Sequence, residues 1–369
     1  MFYATVGLAF TYFIKIKLMV KKLVYIYLAI LSSATFLNGQ DVHFSQFSNA
    51  PTNINPALTG IFRGNLRASA NFRSQWNSVP VDYLTFSGQV DGKLSSNRKQ
   101  NSFLALGAGF NYDQAGYGNL SWANINISGS YTQRLSSQAF LTGGLQVGYS
   151  GRSYDINSLR FLAQYDRSLS DYNPLLDNEE DLFVESIGFF DIGAGLNFRL
   201  QNNANCEILD RLEKRNFLDL GIGVFHLARP DQRFLDATPE AKALRRYSPY
   251  LFTNWRMHEA ADLLLNLSAQ FQGKYQELLL MGGGRIYLDR SPENQMSIAF
   301  LAGYRFNNEL GDVVYPGLEL RINRMRLGFT YDVNVSDFNV ATRRRGGPEF
   351  SLSYIIQPVC VSGHFCPLL

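Results

Sequence analysis

Charge is scarce in this chain. Only 18% of its 369 residues are Asp, Glu, Lys or Arg, against roughly 25% in an average soluble domain. It has three cysteines and four histidines. Beyond residue 40 no apolar run reaches the roughly 18 residues that a spanning helix needs. Mean hydropathy is slightly negative, so a polytopic helical membrane protein is excluded. The 28 Phe and 20 Tyr exclude a disordered chain and point to a β-rich or mixed structure. Net positive charge is also missing once the leader is set aside. Lys15, Lys17, Lys21 and Lys22 face no acid in the first 40 residues, and without them 34 basic residues become 30 against 31 acidic. The remaining chain has no electrostatic basis for binding nucleic acid.

Linear catalytic motifs are absent as well. The pairs Gly107/Gly109, Gly193/Gly195 and Gly221/Gly223 lack the further glycine of a dinucleotide fingerprint, since Tyr112, Phe198 and His226 occupy those positions. Alternate glycines in strands instead thin one face of a wall or make room in a packed interior. There is no H-E-x-x-H, no G-x-S-x-G and no metal-ligand spacing among Cys206, Cys360 and Cys366. The acidic cluster Asp177, Glu179, Glu180 and Asp181 lacks the spacing of a calcium loop and reads as a solvated surface. No cofactor, metal or enzymatic activity is expected. An enzyme assembled from separate strands would have to use His226, the one histidine on an expected strand.

Lys21 and Lys22 precede an apolar run over 23–37, followed by Asn38, Gly39 and Gln40. This is the pattern of a secretory signal cut after Gly39, with Met19 as an alternative start. In an oxidising compartment Cys360 and Cys366 are the nearer pair, and a free thiol in the tail is the other reading.

What the chain does have is alternation with the strand period. Leu66, Ala68, Ala70 and Phe72 alternate with Arg67, Ser69, Asn71 and Arg73, and Met325, Leu327, Phe329 and Tyr331 alternate with Arg326, Gly328, Thr330 and Asp332. About fourteen such segments are expected by this criterion. They lie near 63–73, 83–92, 103–112, 120–133, 139–151, 186–200, 216–227, 247–256, 261–271, 275–288, 296–306, 313–322, 325–335 and 348–357. Most reach the roughly 9 to 11 residues with which a tilted strand crosses a bilayer. The long gaps, near 153–185, 229–246 and 336–347, all follow odd strands, while most even junctions are tight, 201–215 around Cys206 being the exception. A soluble sandwich or jelly roll has no reason to sort its loops in this way, whereas bacterial outer-membrane barrels do. The expected fold is all-β, a transmembrane antiparallel barrel of about fourteen strands. The leader covers 1–39, a plug or periplasmic segment 40–62, the barrel 63–357 and a periplasmic tail 358–369. A charge facing mid-membrane lipid costs roughly 2–4 kcal/mol, so Arg67, Arg73, Arg326 and Asp332 are expected to face the lumen.

The segment 41–60 is too polar and Pro-broken for a strand. One reading folds it into or under the barrel, turned by Asn55-Pro56 and anchored by Phe44 and Phe47, with His43 and Gln46 as further contact candidates. The other leaves it as a disordered lead-in.

Phe44-Ser45-Gln46-Phe47, Asn55-Pro56-Ala57-Leu58-Thr59-Gly60 and Arg73-Ser74-Gln75-Trp76 resemble the start of the PorP/SprF family of type IX secretion membrane proteins. The likeness continues through Asp113-Gln114-Ala115-Gly116, Gly144-Leu145-Gln146-Val147-Gly148, Asp191-Ile192-Gly193-Ala194-Gly195, His226-Leu227-Ala228-Arg229-Pro230-Asp231, Gly283-Gly284-Arg285 and Pro348-Glu349 before the last strand. The tail Cys366-Pro367 is similar too, although Leu368-Leu369 departs from the family's basic and aromatic finish. The resemblance implies a non-enzymatic barrel in the outer membrane of a Gram-negative bacterium. Such a barrel delivers or holds a large secreted surface protein, often a gliding adhesin, at the cell surface. The implied partners are that surface protein, type IX components or a periplasmic lipoprotein, and outer-membrane lipid. Tyr154, Phe161, Tyr165, Tyr172 and Phe183 give the 153–185 loop the mixed composition of a protein contact, and this loop is expected to touch the exported protein. A general diffusion porin or a specific channel is the alternative.

Overall fold

The computed structural model describes residues 41–75, 83–97, 102–116, 118–166, 171–178, 186–201, 215–234, 241–291, 294–308, 313–336 and 342–356. The leader, the three cysteines and the tail lie outside them. Fourteen strands close into one antiparallel barrel. They are β1 Leu66–Gln75, β2 Tyr83–Asn97, β3 Ser102–Ala115, β4 Leu120–Arg134, β5 Ala139–Ser153, β6 Ser186–Gln201 and β7 Phe217–Phe225, then β8 Arg246–His258, β9 Ala261–Gln272, β10 Tyr275–Asp289, β11 Met296–Asn307, β12 Val313–Ile322, β13 Met325–Asn334 and β14 Arg345–Ile356. Each strand pairs with its sequence neighbours, and β1 also pairs with β14 from Leu66↔Ile356 to Arg73↔Glu349. Closure leaves no unpaired edge, a condition for strands in hydrocarbon. Among the described residues no helix is long and apolar enough to cross a membrane.

The period-two pattern decides which face each residue takes. Along β4, Ile125 and Ile127 point outward and are about two-thirds exposed, while Asn124, Asn126 and Ser128 are buried inside. The same inversion of a soluble protein, apolar outside and polar inside, runs round the wall. Each expected segment corresponds to one strand, but several ends differ: β2 runs on to Asn97, β3 to Ala115 and β8 to His258, and three further shifts move a boundary past a residue of interest. β1 begins at Leu66, and β7 stops at Phe225, so His226 lies beyond the strand. β14 begins at Arg345, which places Pro348 inside the last strand and not before it. A register shift between Asp332 and Val333 bends the β13–β14 pair there, the kind of irregularity at which a strand accepts proline.

The interior also holds one apolar cluster. Tyr250, Phe252, Leu264, Leu279, Met281, Leu301 and Tyr315 of the wall pack on Phe47, Ile54, Leu58 and Ile61, which precede β1. Opposite them, Gly144 of β5, Gly195 of β6 and Gly223 of β7 are consecutive cross-strand partners. A Cβ at Gly144 would strike the Pro56–Ala57 backbone, one at Gly195 the Asn55 side chain, and one at Gly223 the Ile54 carbonyl. The glycine row is therefore a seat shaped to residues 54–57. Gly195→Val should displace that segment while leaving the strands paired. Its expected signature is a loss of about 1–3 kcal/mol in urea unfolding, with new ion conductance in planar bilayers.

Candidate functional site

Residues 41–65 run through the lumen before entering β1. Phe47–Asn49 and Pro56–Leu58 form 3-10 turns, with the short helix α1, Pro51–Ile54, between them. Pro51 and Pro56 each open their turn, where a missing N–H leaves no bond unmade. Asn55 caps the second turn by accepting the Ala57 N–H at 2.8 Å. Its Nδ2 donates to the Leu196 carbonyl of β6 at 2.8 Å. Phe44 and Phe47 are almost wholly buried, and Phe47 packs on Phe252 with ring centroids 5.7 Å apart.

Ionic contacts between wall and segment concentrate near the odd-junction end, which carries the long loops. Asp332 of β13 accepts from Arg73 of β1 at 2.7 Å, from Arg305 of β11 at 2.6 Å and from the Ser45 hydroxyl at 2.7 Å. Glu349 of β14 receives the Ser45 and Gln46 backbone N–H groups on its two oxygens, both at 2.7 Å. The Gln46 side chain donates to the Glu349 carbonyl at 3.0 Å, and Arg73 donates to the His43 carbonyl at 2.9 Å. The His43 ring lies 3.8 Å from Glu277 of β10. Burial, with Arg73 and Arg305 nearby, pushes that imidazole well below its ordinary value.

Further along, Asn53 donates to Ser87 of β2 at 3.0 Å and to Asn111 of β3 at 2.9 Å. Ser130 of β4 donates to the Thr59 carbonyl at 2.7 Å. Near the opposite end Arg67 grips Asp91 of β2 through two nitrogens, at 2.8 and 2.7 Å, and also reaches the Leu58 carbonyl. Asp91 in turn accepts the Gly60 N–H at 2.7 Å. The backbone of this non-strand segment is thus satisfied partly by its own turns and partly by wall side chains, as burial requires.

Asp41, the first described residue, is held at the outer end. Its carboxylate meets His226 Nε2 at 2.7 Å and Arg246 at 3.3 Å, while Asp191 lies 2.8 Å from His226 Nδ1. Burial would raise the Asp41 carboxyl, but His226 and Arg246 hold it well below the usual carboxylate range. Burial would lower His226, yet Asp41 and Asp191 raise it to about 9. Both ring nitrogens face carboxylates, so this histidine acts as a cationic clamp. Its backbone sits at φ +56°, a conformation unusual for a residue with a Cβ.

The sequence candidates fall into two places. His43, Phe44, Gln46, Phe47, Asn55 and Pro56 all lie inside the lumen, as do Arg67, Arg73 and Asp332. Arg326 faces inward near the even-junction end, opposite Arg321. Tyr154, Phe161, Tyr165 and Tyr172 lie in the outer β5–β6 connection, where Tyr165 and Tyr172 pair in a two-residue hairpin. The Tyr154 ring meets Phe234 of the β7–β8 connection edge-on at 5.0 Å, so the two long loops touch. Phe183 lies outside the described residues. Sequence reading missed Asp41, Asp91, Arg305 and Glu349. Their inward parity was visible for the three on strands, but their partners are up to three hundred residues away in the chain.

A family model described as type IX secretion system membrane protein PorP/SprF matches residues 36–354. A comparison with curated proteins yields no match. Among solved structures, the chain is similar to the β domain of the Bordetella autotransporter BrkA at 13% identity, covering 79% of this chain and 98% of that one, with a TM-score of 0.38. It is similar to the translocator domain of NalP from Neisseria meningitidis at 11% identity, covering 84% and 96%, with a TM-score of 0.33. The likeness to BamA from Haemophilus ducreyi is 8% identity over 79% and 70%, with a TM-score of 0.41.

Two outcomes follow from the clamps. Asp332→Ala leaves Arg73 and Arg305 buried without their shared carboxylate and should destabilise the detergent-solubilised protein by about 3–5 kcal/mol, read from urea unfolding. The contribution of protonated His226 is full below the ordinary histidine value of 6.5 and disappears as pH rises through about 9. Unfolding stability should therefore fall by about 3 kcal/mol between pH 6 and pH 10, and His226→Gln should flatten that dependence.

Proposed function

Because the chain belongs to the PorP/SprF family of type IX secretion system membrane proteins and is an outer-membrane β-barrel, we propose that it is a non-enzymatic, plugged barrel delivering or anchoring a large secreted surface protein. The observation that carries this reading is the lumen filled by residues 41–62, tied to the wall from Asp41 to Gly60. A barrel of this width otherwise lies between the eight-stranded kind that side chains fill and the wider kind that conducts water. With its interior occupied, the barrel offers a rigid frame for loops in place of a diffusion path. The outer connections over 154–185 and 226–245 are the surface on which an adhesin-like cargo would be recognised. In the described part of these loops, Leu162 and Leu175 are each 92% exposed, apolar groups available for contact with a partner. A periplasmic lipoprotein or another type IX component would meet the opposite end.

The absence of catalysis belongs to the same proposal. The carboxylates that face His226 hold it charged, and a charged imidazole cannot act as a general base.

Affinity purification of the tagged chain from solubilised outer membrane, followed by mass spectrometry, tests the proposal. The expected result is co-recovery of a large secreted protein with type IX components. Exchange of residues 154–185 for the matching loop of a paralogue should change which surface protein is retained. Recovery of the barrel alone, with open-channel conductance, would favour a porin.

A further inference from the structure

A groove of about 480 Å³ crosses the outer face of β12, β13, β14, β1 and β2, within the roughly 300–1,000 Å³ range of small-molecule clefts. Its lining is apolar and includes Ala70, Phe72, Leu318, Phe329, Phe350 and Leu352. Ala70 is the small residue of the row, flanked across the β1–β14 seam by Leu352. The Phe329 and Phe350 rings form one side, 5.0 Å apart. These residues lie on the lipid-facing side of the wall, so hydrocarbon has direct access to the groove.

Above it, Arg343 and Arg344 end the β13–β14 connection and Arg345 opens β14, all three exposed. Among the described residues no carboxylate pairs with them. Arg343 and Arg344 hold φ of +50° and +64°, a left-handed conformation that costs a side-chain-bearing residue free energy unless its surroundings fix it. Buried Thr342 accepts from the Asn334 side chain at 2.9 Å, and the Arg344 carbonyl accepts from the Asn334 N–H. This tie between the two strands holds the turn and presents three guanidinium groups at the outer rim. Phe350 follows Arg345 by five positions in β14, about 16 Å of strand at roughly 3.3 Å per residue. With strands tilted by roughly 35–45° this is about 12 Å of depth, which sets the cationic turn at headgroup level and the groove at the level of acyl chains.

We propose that this face binds a phosphorylated, acylated glycolipid of the outer leaflet, its phosphates on Arg343–Arg345 and an acyl chain in the groove below. Guanidinium groups match phosphate oxygens in paired hydrogen bonds. A soluble acidic partner would use the arginines without entering the groove. An inner-leaflet phospholipid would approach from the other end, where exposed Arg324 lies in the β12–β13 turn.

The test is native mass spectrometry of the full chain purified from outer membrane in mild detergent. Delipidated protein is then titrated with lipid A from the same membrane and, for comparison, phosphatidylglycerol. Wild type should retain one glycolipid and prefer lipid A. The triple variant R343E/R344E/R345E should lower lipid A affinity about 100-fold while keeping the heat-modifiable gel mobility of a folded barrel. Ala70→Phe, which fills the groove and leaves the arginines in place, should lower it as well, and Arg324→Glu should not. Unchanged affinity in the folded triple variant, equal binding of phosphatidylglycerol, or loss on Arg324→Glu alone would overturn the assignment.

Discussion

Burying a carboxylate costs several kcal/mol unless opposite charge and hydrogen bonds compensate it, and the interior of this barrel is organised around that requirement. Asp332 and Glu349 sit side by side in the wall and between them accept from Arg73, Arg305, the Ser45 hydroxyl and two backbone N–H groups of the lumen segment. The arrangement is reciprocal. The segment supplies donors that the carboxylates lack, and the carboxylates satisfy backbone groups that an irregular chain inside a barrel could not satisfy by itself. Removing either side leaves charge or donors stranded, so wall and segment form one cooperative unit.

The same logic is repeated at different depths with different chemistry. At the outer end the contact is ionic, Asp41 against His226 and Arg246. At mid-depth it is steric, with residues 54–57 seated on the row Gly144, Gly195 and Gly223. At the opposite end Arg67 and Asp91 hold Leu58 and Gly60. A segment fixed over its whole course fills the lumen, and on the proposed function recognition then falls to the loops. In that proposal the division has a physical advantage, because contact with a partner would not open a path through the membrane.

The strands were legible in the sequence because a wall with lipid on one side and polar groups on the other enforces strict period two. Strand ends were less legible than strand centres, because alternation weakens where the wall meets loops and headgroups, and at two of them a local irregularity intervened. Pro348 marks the expected start of the last strand, but a register shift beside it admits proline inside, and His226 reads as part of its strand although its backbone has already turned. Arg67, Arg73, Arg326 and Asp332 could be assigned to the interior from charge and parity alone. Phe44, Phe47 and Asn55 could be marked as anchors or turns, yet the fate of their segment stayed open between filling and lead-in, since no periodicity constrains a Pro-broken stretch.

The sequence by itself therefore determined the barrel, its strand count of about fourteen, the facing of the alternating strand residues and the end that carries the long loops. All of these follow from local alternation and spacing, which the solvent on each side of the wall imposes residue by residue. The tertiary structure alone decided which carboxylate meets which arginine, why glycines recur on β5, β6 and β7, and where residues 41–62 lie. Those depend on closure of β1 against β14 and on the shear of the strands, which bring Ser45 to Glu349 and Asp41 to His226 across hundreds of residues of chain. No local pattern encodes such a distance.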